Sequence, residues 1–117
     1  MKADRDNFYY VGLVLEHCRR IKEFTQRFHG SKELLYSDMA YQQAVTMSIL
    51  QIGECVYDMD DDFKQKYSEQ PWDDIVKARH KMTHHYDEVN VDFVWEMIQN
   101  DIPPLKEYCE NILADNC

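Results

Sequence analysis

Three glycines and three prolines in 117 residues are too few to supply the tight turns of an all-β fold. No run of about 18 apolar residues occurs, so no membrane span is expected. The first residues, Met1 to Asp6, lack the apolar stretch of a secretion signal, and a cytoplasmic protein is the expectation. The four cysteines, Cys18, Cys55, Cys109 and Cys117, form no C-x-x-C pair. That argues against a zinc finger or redox motif and favours reduced, mostly structural thiols. No glycine-rich phosphate loop is present, so the chain brings no nucleotidyl-transfer activity of its own. Positive charge is also scarce, with 13 Lys and Arg against 22 Asp and Glu.

What remains is helical periodicity in a chain whose length suits one compact domain, residues 1–117, with a small core. Phe8, Val11, Val14, Leu15, Cys18, Ile21, Phe24 and Phe28 step by three and four, predicting an amphipathic helix from Asp4 to Phe28 that ends at His29-Gly30. A second helix is expected after Ser37 as N-cap, burying Tyr41, Ala44, Val45, Ser48, Ile49, Ile52 and Val56. The polar segment 58–70 has room for one short helix around Phe63. Pro71 suits the first turn of a third helix carrying Trp72, Ile75, Val76 and Met82. Asn90 can cap a fourth, with Val91, Val94, Trp95 and Ile98 inward, and Ile102-Pro103-Pro104 should break or bend it before Leu105 to Leu113 resumes. The expected fold is all-α, an antiparallel bundle of four to five helices with apolar remainder that could pair two chains.

The chemistry concentrates late on the third helix. From Ile75 to Tyr86 there is no acidic residue, while Lys77, Arg79, Lys81 and three of the five histidines (His80, His84, His85) lie there, leaving 10 Lys and Arg against 22 carboxylates elsewhere. A cationic island in an acidic chain points to reception of an anion or phosphate, because such a site works through its local field. His84 suits proton transfer near neutral pH, and Arg79 offers a planar fork of donors that stays charged. RNA carries its own nucleophile, the 2′-hydroxyl, so these groups and Tyr86 suffice in principle for metal-free cleavage. On an ideal helix Arg79 and His84 lie about 140° apart. Either the helix loosens near Thr83, or two copies of the motif converge across a two-fold axis.

The pattern Arg79, four residues, His84, one residue, Tyr86, followed by Val91-Asp92-Phe93-Val94-Trp95, resembles the HepT-like branch of the HEPN superfamily. Ile52-Gly53-Glu54, Pro71-Trp72-Asp73-Asp74-Ile75 and Asn100-Asp101-Ile102-Pro103-Pro104-Leu105-Lys106 fit the same layout, and the resemblance runs from about Arg5 to Leu113. It implies a toxin of a toxin-antitoxin pair: a metal-independent endoribonuclease using Arg79 and His84 in a cleft shared by a homodimer. It also implies a minimal nucleotidyltransferase antitoxin, which would silence the toxin by AMP transfer to Tyr86. His80 stands where relatives commonly carry a small polar residue such as Asn.

Other assignments compete for these residues. His80 and His84, four apart, could ligate a metal with Asp87 or Glu88, but Lys81 stands where the HExxH signature needs Glu, so no metal or cofactor is expected. Lys77, Lys81 and His80 are candidates for RNA contact, although exposed helix positions carry lysine without function. His85 is expected to be exposed. Glu54 could be a general base or a partner for Arg79, with a structural ion pair the commoner outcome. Trp72 and Trp95 are expected in the core or at a dimer seam. The competing functions are a catalytically silent nucleotide-binding or regulatory subunit of a nucleotidyltransferase, and a chain whose Tyr86 serves chiefly as a modification acceptor.

Overall fold

A computed structural model describes residues 4–84 and 90–116, with backbone alone for Asp4, Thr83 and His84. Seven α-helices and one π-helical turn make up the described residues, and no strand occurs among them: α1 (Asp4–Arg27), α2 (Lys32–Ser37), α3 (Met39–Asp58), α4 (Asp61–Lys66), α5 (Trp72–His84), α6 (Val91–Glu96) and α7 (Ile102–Asp115), with the π turn Met97–Asp101 joining the last two. The chain is all-α, as its periodicity predicts.

Helix α1 buries Val11, Val14, Leu15, Cys18 and Ile21. It sets Glu16–Arg20 (2.7 Å) and Glu23–Arg27 (2.8 Å) pairs on its solvent side, the i, i+4 spacing that supports an exposed helix face. His29 (φ 59°) and Gly30 (φ 63°) turn left-handed, and the Gly30 N–H donates to the Thr25 carbonyl at 2.8 Å, which closes the helix. The six-residue α2 follows at once, its first turn capped by Ser31 Oγ accepting from the Leu34 N–H at 3.1 Å and its one buried side chain being Leu35. The sequence did not announce this helix. Ser37, expected to cap the next helix, is instead the last residue of α2, and the cap of α3 is Asp38, whose Oδ1 accepts from the Tyr41 N–H at 3.0 Å.

The three long packings are antiparallel. Phe28 at the end of α1 stacks on Tyr41 at the start of α3, with ring centroids 4.2 Å apart. At the other end the buried Asn7 accepts from the Asp60 N–H at 3.0 Å, beyond the end of α3. Arg19 on α1 pairs with Glu110 on α7, and Asn116 at the end of α7 donates to Tyr67 Oη. The core gathers Ile49, Ile52 and Val56 of α3, Ile75 and Ala78 of α5, Val94 and Met97, and Leu105, Cys109 and Ile112 of α7. Trp72 is buried with its indole N–H donating to the Tyr67 carbonyl at 3.0 Å, whereas Trp95 is only partly buried.

The two prolines act as expected, but one turn earlier than their own positions. Pro103 and Pro104 lack N–H groups, and their rings press on carbonyls four residues back. The backbone answers with the π turn at Met97–Asp101 and enters α7 with proline in the first turn, where missing donors cost nothing. Cys18, Cys55 and Cys109 are free and buried. Burial pushes the Cys18 thiol up to about 12 and Cys55 up to about 11.

Candidate active site

Arg79 lies on α5 at a point where α3 and α5 approach closely. Gly53 makes that approach possible: a Cβ there would stand 2.4 Å from Arg79 Cβ and 2.9 Å from Cδ. The arginine stem therefore lies flat against the bare backbone of α3, and its guanidinium reaches the next residue, Glu54, with Nη2 donating to Oε2 at 2.7 Å. Glu54 thus meets Arg79 as an ion pair. The pair is open to water, the two side chains being 32% and 52% exposed, so its net worth is about 0–1 kcal/mol.

The other candidates spread around α5. Lys77 and His80 are exposed on its outer side. Lys81 is exposed too, but its ammonium lies 4.5 Å from the centroid of the Phe93 ring in the first turn of α6, an intramolecular cation–π contact. His84 is the last described residue of α5, about 1.4 turns beyond Arg79, and its side chain lies outside the described structure. Tyr86, His85, Asp87 and Glu88 fall in the stretch 85–89, also outside it. Among the described residues no three His, Cys, Asp or Glu side chains converge as metal ligands. None of their helices is long and apolar enough to cross a membrane.

Two features escaped sequence reasoning. The Gly53–Arg79 contact is one; a glycine in the middle of a well-patterned helix, directly before the exposed Glu54, is the signal that could have found it. The other is the anchoring of α6. Asn90 Oδ1 caps the helix by accepting from the Phe93 N–H at 3.1 Å. Asp92 accepts from Tyr36 Oη and pairs with Lys32 at 3.3 Å, both on α2. The Tyr36 hydrogen bond and Lys32 hold the Asp92 carboxyl below its usual range. A separate open hollow, lined by Tyr57, Asp58, Asp60, Asp61, Lys64 and Asp73, carries the wrong sign for a phosphate.

Comparison with known proteins supports the assignment these residues invite. The ribonuclease HepT-like family matches residues 14–112. The chain belongs to that family. It is 32% identical to a candidate RNase of Methanocaldococcus jannaschii over 97% of this chain and 91% of the relative. Identity to a candidate RNase of Caldanaerobacter subterraneus subsp. tengcongensis is 36%, over 89% of this chain and 91% of the relative. A candidate ribonuclease HepT of Thermococcus cleftensis is 32% identical over 88% of this chain and 92% of its own. No solved structure gives a significant match. HEPN-type endoribonuclease is the class of activity that membership of this HepT-like family carries.

Proposed function

We propose that this HepT-like chain is the toxin of a toxin-antitoxin pair, a metal-independent endoribonuclease that cleaves RNA by attack of the 2′-hydroxyl on the adjacent phosphorus. The observation that carries the proposal is Arg79, seated against Gly53 with its guanidinium partly exposed and paired with a solvent-facing carboxylate. In this scheme His84 takes the 2′-hydroxyl proton or returns one to the departing 5′-oxygen. Arg79 exchanges Glu54 for the phosphate and offsets charge on the phosphorane. Lys77 and His80, exposed on the same helix, are candidates for contact with the flanking RNA.

The site needs a second chain. Arg79 and the His84 position lie about 140° apart on a regular helix, and α5 is regular helix through His84. A homodimer would bring one protomer's His84 toward its partner's Arg79. The outer face of α3 suits that contact. At 100° per residue, positions 39, 43, 47, 50, 54 and 57 share one face, and Met39, Met47 and Tyr57 on it are 61%, 56% and 65% exposed. Single exposed apolar side chains need no explanation, but three on one helix face beside Glu54 favour a protein contact.

Tyr86, two residues beyond His84, is the proposed acceptor of AMP from a minimal nucleotidyltransferase antitoxin. A phosphodiester and adenosine so close to Arg79 and His84 would occupy the cationic site with a competing anion.

The decisive experiment is cleavage of a mixed-sequence RNA in EDTA by the native protein, Arg79→Ala and His84→Ala, each verified as folded. Cleavage by the native protein alone is expected. Equal cleavage by all three would refute the assignment, and cleavage by none would favour the nucleotide-binding or modification-acceptor functions, with AMP transfer to Tyr86 then measured by intact mass.

A further inference from the structure

We propose that Lys81 is a positioning residue for this site, locking the His84-bearing turn of α5 to α6 through Phe93, and is not an RNA-binding lysine; the inference rests on the ribonuclease function proposed above. Three observations converge on it. The Lys81 ammonium sits 4.5 Å from the Phe93 ring centroid, and Phe93 itself packs against the core, so the cation is tied to a fixed element. Helix α6 is fixed in turn, by the Asn90 cap and by the grip of Tyr36 and Lys32 on Asp92. Finally, Lys81 precedes His84 by three residues on a continuous helix, which places the two positions on adjoining faces one turn apart.

The consequence is a division of labour along α5. Arg79 is registered against α3 by Gly53 and Glu54, while the turn that bears His84 is registered against α6 by Lys81. Proton transfer depends steeply on the distance and angle of the reacting group, so the turn of α5 that bears His84 has to be held in register. At an exposed site a cation–π contact is worth about 0.5–1 kcal/mol, so any phosphate contact by Lys81 would be made at the expense of the link between α5 and α6.

The test is steady-state cleavage of a fluorogenic RNA over a range of KCl by the wild type, Lys81→Met, Lys81→Arg, Phe93→Leu and the double variant Lys81→Met/Phe93→Leu. Phe93→Met stands in should Phe93→Leu melt early. Lys81→Met and Phe93→Leu should each lower kcat by roughly 3-fold to 10-fold with KM within about twofold. The double variant should be no slower than the slower single, and Lys81→Arg should keep most of the rate because guanidinium also stacks on a ring. A raised KM with a flattened salt dependence in Lys81→Met, alongside wild-type behaviour in Phe93→Leu, would make Lys81 a phosphate contact and overturn the proposal. So would fully additive losses. If the wild type cleaves no RNA, the ribonuclease function fails separately, and the histidine ring 15N–1H spectrum then judges Lys81. A His84 cross-peak displaced in Lys81→Met and Phe93→Leu but not in Lys81→Arg supports positioning, and an unmoved one refutes it.

Discussion

Gly53→Ala separates two effects of opposite sign. Gly53 is interior to α3, where alanine is favoured over glycine by about 0.8–1.0 kcal/mol on helix propensity alone. The added Cβ, however, would stand 2.4 Å from Arg79 Cβ and 3.0 Å from Cγ, where nonbonded carbons settle at about 3.5–4.0 Å. A rotamer change can move Cγ and Cδ but not Cβ, which is fixed to the α5 backbone, so the helices must part by roughly 1 Å. Overpacking of this kind costs about 1–3 kcal/mol and outweighs the propensity gain, leaving a net loss of about 1 kcal/mol and a Tm lower by about 3–6 °C for a chain of this size. Activity should suffer more than stability, because moving a reacting group by about 1 Å can cost about 10²-fold in rate. Gly12→Ala is the internal control: a Cβ there meets nothing within 4 Å, so propensity acts alone and Tm should rise. Thermal melts and RNA cleavage on the same preparations decide the matter. A Tm rise in Gly53→Ala equal to that in Gly12→Ala, with unchanged cleavage, would refute the close-approach reasoning.

Met47→Arg and Tyr57→Arg alter exposed side chains, so each should change monomer stability by less than about 0.5 kcal/mol; light scattering should nonetheless show a shift from dimer to monomer with loss of cleavage, and a monomer that cleaves RNA normally would sink the shared-site proposal. Burial, with Arg20 nearby, lowers the His17 imidazole below its ordinary value while Glu16 opposes; the unfolded chain then binds the proton more readily, so stability is complete above about pH 6.5 and declines as pH falls below it. The fall in Tm between pH 7.5 and 5.5 should shrink in His17→Phe, and parallel profiles would contradict that assignment. Cys18, raised to about 12, should react with a disulfide reagent at pH 8 on the order of 10³-fold more slowly in the native protein than in urea, with Cys109 also protected; rapid native labelling of Cys18 by mass mapping would show the helix interface to be open.

How much of this was legible beforehand follows from element length and from what each signal encodes. Helices α1, α3, α5 and α7 were readable because their apolar positions repeat over several turns, and Asn90 was readable as a cap because its side-chain chemistry is local. Helix α2 was not: six residues with one buried leucine give no periodicity, and Ser37 looked like the cap that Asp38 provides. The prolines announced a disturbance but not its form, since the missing donors and the ring clash can be met by a break, a kink or a π turn alike. Arg79 stood out by charge. Its dependence on Gly53 did not, because the bare backbone that receives it lies 26 residues away in sequence and only the antiparallel packing of α3 on α5 joins them. The Lys81 contact with Phe93 was equally out of reach, because its two residues lie on different helices and no local pattern pairs them.

A net charge of −9 sits awkwardly with a polyanionic substrate until the exchange at Arg79 is considered by itself. The Arg79–Glu54 contact is short, at 2.7 Å, but both groups face water, so separating them costs about 0–1 kcal/mol. A hydrogen bond from guanidinium to a phosphate oxygen is charge-assisted and worth about 1.5–3 kcal/mol. In the proposed scheme phosphate would therefore win the exchange, and Glu54, once released, would rejoin water at little cost because it is already 52% exposed. Carboxylates farther than the Debye length, about 8 Å at physiological ionic strength, oppose this only weakly. What the acidic surface does remove is the nonspecific attraction that a basic nuclease would exert along the whole strand. Such a chain should bind RNA weakly and only where a phosphate can reach Arg79, which makes selection of the target a property of the cleft and not of the protein's overall field.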